Sequence, residues 1–81
     1  MMVMMMVKSD FKYEIVEHLA TLKETNDGRF TVEVNLISFN GAEPKIDIRK
    51  WNRENGTMLK GISLTEEEAN ELLSALTEYF R

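Results

Sequence analysis

The run RFTVEVNLISF, Arg29 to Phe39, constrains this chain more than any other stretch. Phe30, Val32, Val34 and Leu36 form one apolar face, while Arg29, Thr31, Glu33, Asn35, Ile37 and Phe39 form the other. A period of two reads as a strand, and turn signals bound it on both sides. Asn26-Asp27-Gly28 precedes it, supplying the positive φ that a hairpin needs. Asn40-Gly41 follows, and the second face turns apolar as it approaches that turn at Phe39.

The next run, Lys45 to Trp51, alternates as cleanly. Ile46 and Ile48 fall on one side, predicted to be the buried one, because β-branched residues suit a half-buried strand. Lys45, Asp47, Arg49 and Trp51 fall on the other side, predicted to face solvent. Two cations interleaved with an indole suit single-stranded nucleic acid, with cations along the phosphates and a flat ring under a base. The plainer alternative is a Trp packed against a neighbouring element, its edge covered by Arg and Lys stems. Pro44 is tolerated at the start of this strand. Asn55-Gly56 makes a further turn, and Met58 to Ser63 reads as a short fourth strand. Gly61 within it marks a bulge or a place of close approach.

From Leu64 onward the chain reads as a helix. Thr65 is the N-cap, and Glu68 completes a T-x-x-E capping box. Glu66, Glu67 and Glu68 suit the positive end of the helix dipole, so the run is a helix start and not a metal or catalytic site. Ala69, Leu72, Leu73, Leu76 and Phe80 share one face. The stretch FKYEIVEHLATL, Phe11 to Leu22, is different. Phe11, Tyr13 and Ile15 alternate as in a strand, but Phe11, Ile15, Leu19 and Leu22 recur at helical spacing with Asp10 as a possible cap. Pattern alone leaves both open. The opening MMVMMMV is too short to span a bilayer and lacks the charge pattern of a signal peptide. It predicts a flexible Met-rich tail over residues 1–9, ahead of one domain over residues 10–81.

At 81 residues a single core is marginal, and with no cysteine there is no disulfide framework to support it. Oligomerisation is the remaining common route to more buried area, so a homodimer is expected. The absence of cysteine fits a cytoplasmic location. The formal net charge of −4 argues against a generic nucleic-acid binder, but its distribution is uneven. Lys45 to Lys60 carries a local +3 and the remainder −7, much of it in the C-terminal segment. An enzyme is not expected. His18 is the only histidine, and no Ser sits in a nucleophile-elbow or phosphate-loop context. No metal or cofactor is implied.

Three segments together, FNGAEPKIDIRKW (Phe39–Trp51), MLKGISL (Met58–Leu64) and TEEE (Thr65–Glu68), resemble the transcriptional positive cofactor four family of single-stranded DNA-binding domains. The A-E-P-K element is most similar to the family's short bacterial, YdbC-type branch. The likeness covers roughly Phe11 to Phe80. It implies an α+β fold: a four-stranded curved antiparallel sheet followed by one C-terminal helix, dimerising chiefly through the helices. It moves Phe11–Leu22 towards strand. It implies that Arg49, Trp51 and Lys60 face nucleic acid, and that Phe39 corresponds to a hairpin aromatic that stacks on bases. The Ser- and Lys-rich tail of the eukaryotic members is absent, so coactivation is not transferred.

The expected function is a homodimeric, largely sequence-independent single-stranded DNA-binding protein, with RNA as the alternative polymer. Its cations would be Arg29, Lys45, Arg49, Lys50 and Lys60, its stacking rings Trp51 and Phe39, and its dimer contacts Leu72, Leu73, Leu76 and Phe80. The competing expectation is a protein-interaction adaptor using the same sheet face or its edge. No membrane or small-molecule partner is implied.

Overall fold

The computed structural model describes residues 12–81. The apolar amino-terminal run, Asp10 and Phe11 lie outside the described residues. Four strands, β1 (Tyr13–Glu24), β2 (Phe30–Phe39), β3 (Lys45–Asn52) and β4 (Thr57–Leu64), are followed by one helix, α1 (Glu66–Tyr79). The strands form a single antiparallel meander in the order β1-β2-β3-β4. No helix among the described residues is long and apolar enough to cross a membrane.

The turns form where the chain supplies residues that accept positive φ. Between β2 and β3, Asn40 (φ 51°) and Gly41 (φ 78°) are both left-handed. The Ala42 N–H donates to the Phe39 carbonyl at 2.9 Å, so this is the primed turn whose twist matches a hairpin. Asn40 also anchors β1. Its N–H donates to the Lys12 carbonyl and its side-chain oxygen accepts from the Lys12 N–H, both at 2.8 Å.

Strand β1 is not regular. The ladder to β2 slips between Ile15 and Glu17, between His18 and Ala20, and between Thr21 and Lys23. Each slip leaves one extra residue on β1 (Val16, Leu19, Leu22), which increases local twist and bends the strand. The result is a strongly curled sheet. Tyr13 pairs with Phe39 at one end of β2, while Trp51 pairs with Thr31 at the other. A straight chain from Thr31 to Phe39 would span about 26 Å. Yet the rings of Tyr13 and Trp51 lie 5.9 Å apart, and the Arg49 guanidinium lies 6.0 Å from the Phe39 ring. The Tyr13–Phe39 end folds back over the middle of its own sheet.

That curl decides which face is inside. Side chains on the concave face converge, and Ile37, Asn35, Asp47 and Trp51 are at most 1% exposed. Thr31 and Glu33 are buried beside them. The expectation that Ile46 and Ile48 mark the buried side of β3 is therefore corrected. Both are only half-buried, because side chains diverge on the convex face, and the Asp47–Trp51 side forms the interior.

Helix α1 starts as its sequence predicts. The Thr65 hydroxyl accepts from the Glu68 N–H at 3.1 Å, and the Glu68 carboxylate accepts from the Thr65 N–H at 2.8 Å. Among the described residues the helix touches only strands β3 and β4, and none of its residues is buried. Leu72, Leu73, Leu76 and Phe80 all stand exposed, Phe80 at 75%.

Candidate nucleic-acid interface

Register assigns each candidate residue to a face. Across the concave face the paired rows are Ile37–Lys45, His18–Asn35–Asp47–Ser63, Thr21–Glu33–Arg49–Gly61 and Glu24–Thr31–Trp51–Met58. Phe39 lies one step beyond Ile37 on the same side. Lys50 pairs with Val32 and so lies on the convex face, Arg29 stands at the β1–β2 turn, and Lys60 is exposed on edge strand β4. The seven sequence-predicted residues are therefore not one surface. Phe39 and Arg49 come together and Lys45 shares their face, whereas Lys50 and Arg29 form a separate group.

Arg49 is held, not free. Its Nε and Nη2 donate to the two oxygens of Asp47 at 2.8 and 2.7 Å, and Nη1 donates to the Leu59 carbonyl at 2.8 Å. The Ser63 hydroxyl donates to Asp47 Oδ2 at 2.8 Å, completing the carboxylate's shell. The hydrogen bonds from Arg49 to Asp47 hold the guanidinium above its ordinary range in spite of burial. A bidentate pair of this kind fixes the plane of the guanidinium. That plane lies beside the Phe39 ring, and Arg49 keeps 14% of its side chain open. Gly61, directly opposite Arg49, makes this approach possible. A Cβ there would collide with Arg49 Cβ and stand 2.6 Å from the Ile48 carbonyl oxygen. The β3–β4 register slips at the same place, between Arg49 and Trp51, so the glycine marks both a bulge and a close contact.

Trp51 does not stand as its sequence position predicts. It is 1% exposed, with Tyr13 tilted against it and the Arg53 guanidinium 4.9 Å from its ring centroid. Its indole N–H finds no acceptor among the described residues. The curl of the sheet has carried a strand-face aromatic into the core, so its ring has no open side for a base. The plainer reading of this Trp is the one its surroundings match.

A second polar cluster was not foreseen. Glu33 accepts from the Thr31 hydroxyl at 2.6 Å, from Asn35 at 3.4 Å and from Arg53 Nε at 3.2 Å, with Arg53 Nη2 at 3.0 Å. His18 Nδ1 lies 2.7 Å from Asn35 Oδ1, and its Nε2 lies 3.1 Å from the Thr21 hydroxyl. Burial pushes the Glu33 carboxyl up, but the bonds from Thr31 and Asn35 and the charge of Arg53 outweigh it and hold the group below its ordinary value. The only sequence signal was the shared face of Thr31, Glu33 and Asn35. Arg53, beyond the strand end, entered only as one of the charges of the basic Lys45–Lys60 stretch, with nothing to link it to Glu33.

These features define a small α+β domain: a curled four-stranded meander and a capped helix, with a cation and an aromatic ring fixed side by side at the mouth of the curl. The family described as Transcriptional Coactivator p15 (PC4) matches residues 29–75, more than half of the chain. A protein of Treponema pallidum (strain Nichols), named only as uncharacterized, is 39% identical over 62 residues, covering 76% of this chain and 72% of its own length. The chain belongs to the PC4 family. The matched segment contains β2, β3, β4 and most of α1, so the Arg49–Asp47 pair and Phe39 lie within it.

Proposed function

We propose that this protein is a homodimeric, largely sequence-independent single-stranded DNA-binding protein. The observation that carries the reading is the mouth of the curled face. There Phe39 stands beside the fixed Arg49 guanidinium, and exposed Lys45 lies on the same face. A base stacks on Phe39, Arg49 and Lys45 meet the adjacent phosphates, and Lys60 on β4 extends the cationic path. Tyr13, paired with Phe39 across the ladder, supplies a second ring at the same mouth. Trp51 forms the floor of this site and does not touch the strand. Membership of a family of nucleic-acid-binding and cofactor proteins supports the assignment and speaks against catalysis.

The dimer is proposed on the helix. Leu72, Leu73, Leu76 and Phe80 are exposed apolar residues on an element that rests on two strands only. Burying such a stripe in a twofold mate contributes about 25 cal/mol per Å² of apolar surface removed from water. A single chain of this size cannot otherwise recover that area.

Titration of labelled oligo-dT, poly-U and duplex DNA at several salt concentrations tests the reading. Single strands should bind much more tightly than duplex of equal length, with affinity falling as salt rises. Equal affinity for single and double strands would remove the stacking argument.

A further inference from the structure

The convex face carries a second group of cations around an aromatic ring, on the side of the sheet opposite Arg49 and Phe39. Lys23 on β1, Val32 on β2 and Lys50 on β3 are register partners in one row across the sheet. Phe30, two residues from Val32, lies on the same side. The Lys50 ammonium stands 4.8 Å from the Phe30 ring centroid and the Arg29 guanidinium 5.8 Å from it. Between these groups is a cleft of about 120 Å³, lined by Lys23, Thr25, Phe30, Thr31, Val32 and Lys50.

Three properties separate this cluster from an ordinary solvated face. Lys23 and Lys50 are exposed, and neither has a carboxylate within ion-pair distance among the described residues, in a chain with a net charge of −4. Lys23 and Lys50 stand on either side of an apolar Val in one row of the sheet and line the same cleft, so an anion seated there lies within reach of both. The half-buried Phe30 ring then offers a flat apolar surface next to that anion. A phosphate with an adjoining unpaired base satisfies both requirements at once. The cleft also lies clear of the helix. The N-terminal turn of α1 borders Leu36, Pro44, Lys45 and Ile46, at the opposite end of β2 from Phe30.

We infer that Phe30, Lys23, Lys50 and Arg29 form a second contact for single-stranded nucleic acid, on the face opposite the Phe39–Arg49 mouth. The inference rests on the nucleic-acid-binding reading for its class of ligand but not on the Phe39 site. Lys23 and Lys50 hold phosphate, and a base lies against Phe30, displacing the Lys50 ammonium towards the backbone. Arg29, whose exposed partners Asp27 and Glu54 lie at 4.0 and 3.4 Å, exchanges these loose pairs for phosphate.

The test is a backbone and aromatic NMR titration of the full chain with dT6, repeated on Lys23→Ala/Lys50→Ala and on Phe30→Leu. The lysines are exposed and Phe30 is half-buried and keeps an apolar side chain, so the fold should be retained, which the unperturbed resonances of β4 and α1 report. The expected result is two groups of shifting resonances, one around Phe39 and Arg49 and one around Phe30 and Val32. The lysine variant should lose the second group and keep the first. Phe30→Leu should weaken the second by about fivefold or more, the loss of one stacked base. Shifts around Phe30 with none around Phe39 would support this contact while removing the mouth. Shifts around Phe39 alone, or no shifts anywhere, would overturn it. A polyglutamate peptide giving the same Phe30 shifts as dT6 would also overturn it, since the ring would then play no part.

Discussion

Replacing Asp47 with asparagine tests whether the buried pair organises the concave face. The side chain is fully buried and accepts three hydrogen bonds, two from Arg49 and one from Ser63. Asparagine keeps the volume and one acceptor oxygen, so Ser63 can still be satisfied. It removes the carboxylate charge and turns one accepting position into an N–H that faces the guanidinium. Hydrogen bonds to charged groups contribute roughly 1.5–3 kcal/mol each, and a charge left unpaired in a buried site adds to the loss. Arg49 retains 14% exposure and its bond to the Leu59 carbonyl, so the unpaired charge is partly relieved. The net cost should be about 2–4 kcal/mol. In a domain of this size each kcal/mol shifts Tm by about 4–8 °C, so Tm should fall by at least about 8 °C. Urea unfolding followed by far-UV circular dichroism measures the loss. The double variant Asp47→Asn/Arg49→Gln should recover part of it, because the orphaned cation is gone. Binding of oligo-dT by folded Asp47→Asn should weaken although a negative charge has been removed, since Arg49 is no longer held beside Phe39. A variant within about 0.5 kcal/mol of the parent that also binds more tightly would refute the argument: Asp47 would then be only an unfavourable charge in a cationic site.

Trp51→Ala should cost about 3–5 kcal/mol in urea unfolding, as for a buried aromatic, and its effect on oligo-dT affinity should track the unfolded fraction. Full stability with lost affinity would return Trp51 to a stacking role. In spite of burial, hydrogen bonds from Thr31 and Asn35 and the charge of Arg53 hold the Glu33 carboxyl below its ordinary value of 4.5, so its contribution is present above that value and is lost as pH falls through the lower folded one. Stability should therefore fall as pH drops from about 5, and Glu33→Gln should flatten that profile in acid titrations. Leu76→Glu should give a monomer or an unfolded chain by light scattering, where the parent is a dimer at micromolar concentration; a monodisperse parent monomer would dismiss the helix interface.

Much of the fold was legible because it depends on local chemistry. Asn40-Gly41 and Asp27-Gly28 supply positive φ where the turns fall, and the Thr65–Glu68 box needs only four residues of chain. Alternation in β2 and β3 identified which side chains share a face, and every such grouping reappears in the register except that of Arg29, which stands at the turn beside Phe30. Gly61 was marked as a bulge or close approach, and it is both.

The ambiguity of the first strand has a physical cause. Three slips, each three residues after the last, place Ile15, His18, Thr21 and Glu24 opposite Ile37, Asn35, Glu33 and Thr31. A strand bulged in this way repeats every three residues, between the two of a strand and the 3.6 of a helix. A sequence pattern built on it matches neither template. Which face is inside was not legible either. Alternation is symmetrical between the two sides of a sheet, and nothing local distinguishes them once both carry apolar and charged groups. The direction of curl breaks that symmetry. It depends on bulges in β1 acting together with the close approach at Gly61, and it carries Asp47, Glu33 and Trp51 into the interior while leaving Ile46 and Ile48 half exposed. The sequence by itself determined the last three strands, the turns, the capped helix and the pairing of side chains by face. Only the tertiary structure decided which face became the core, because curvature is a property of the whole sheet and not of any one strand.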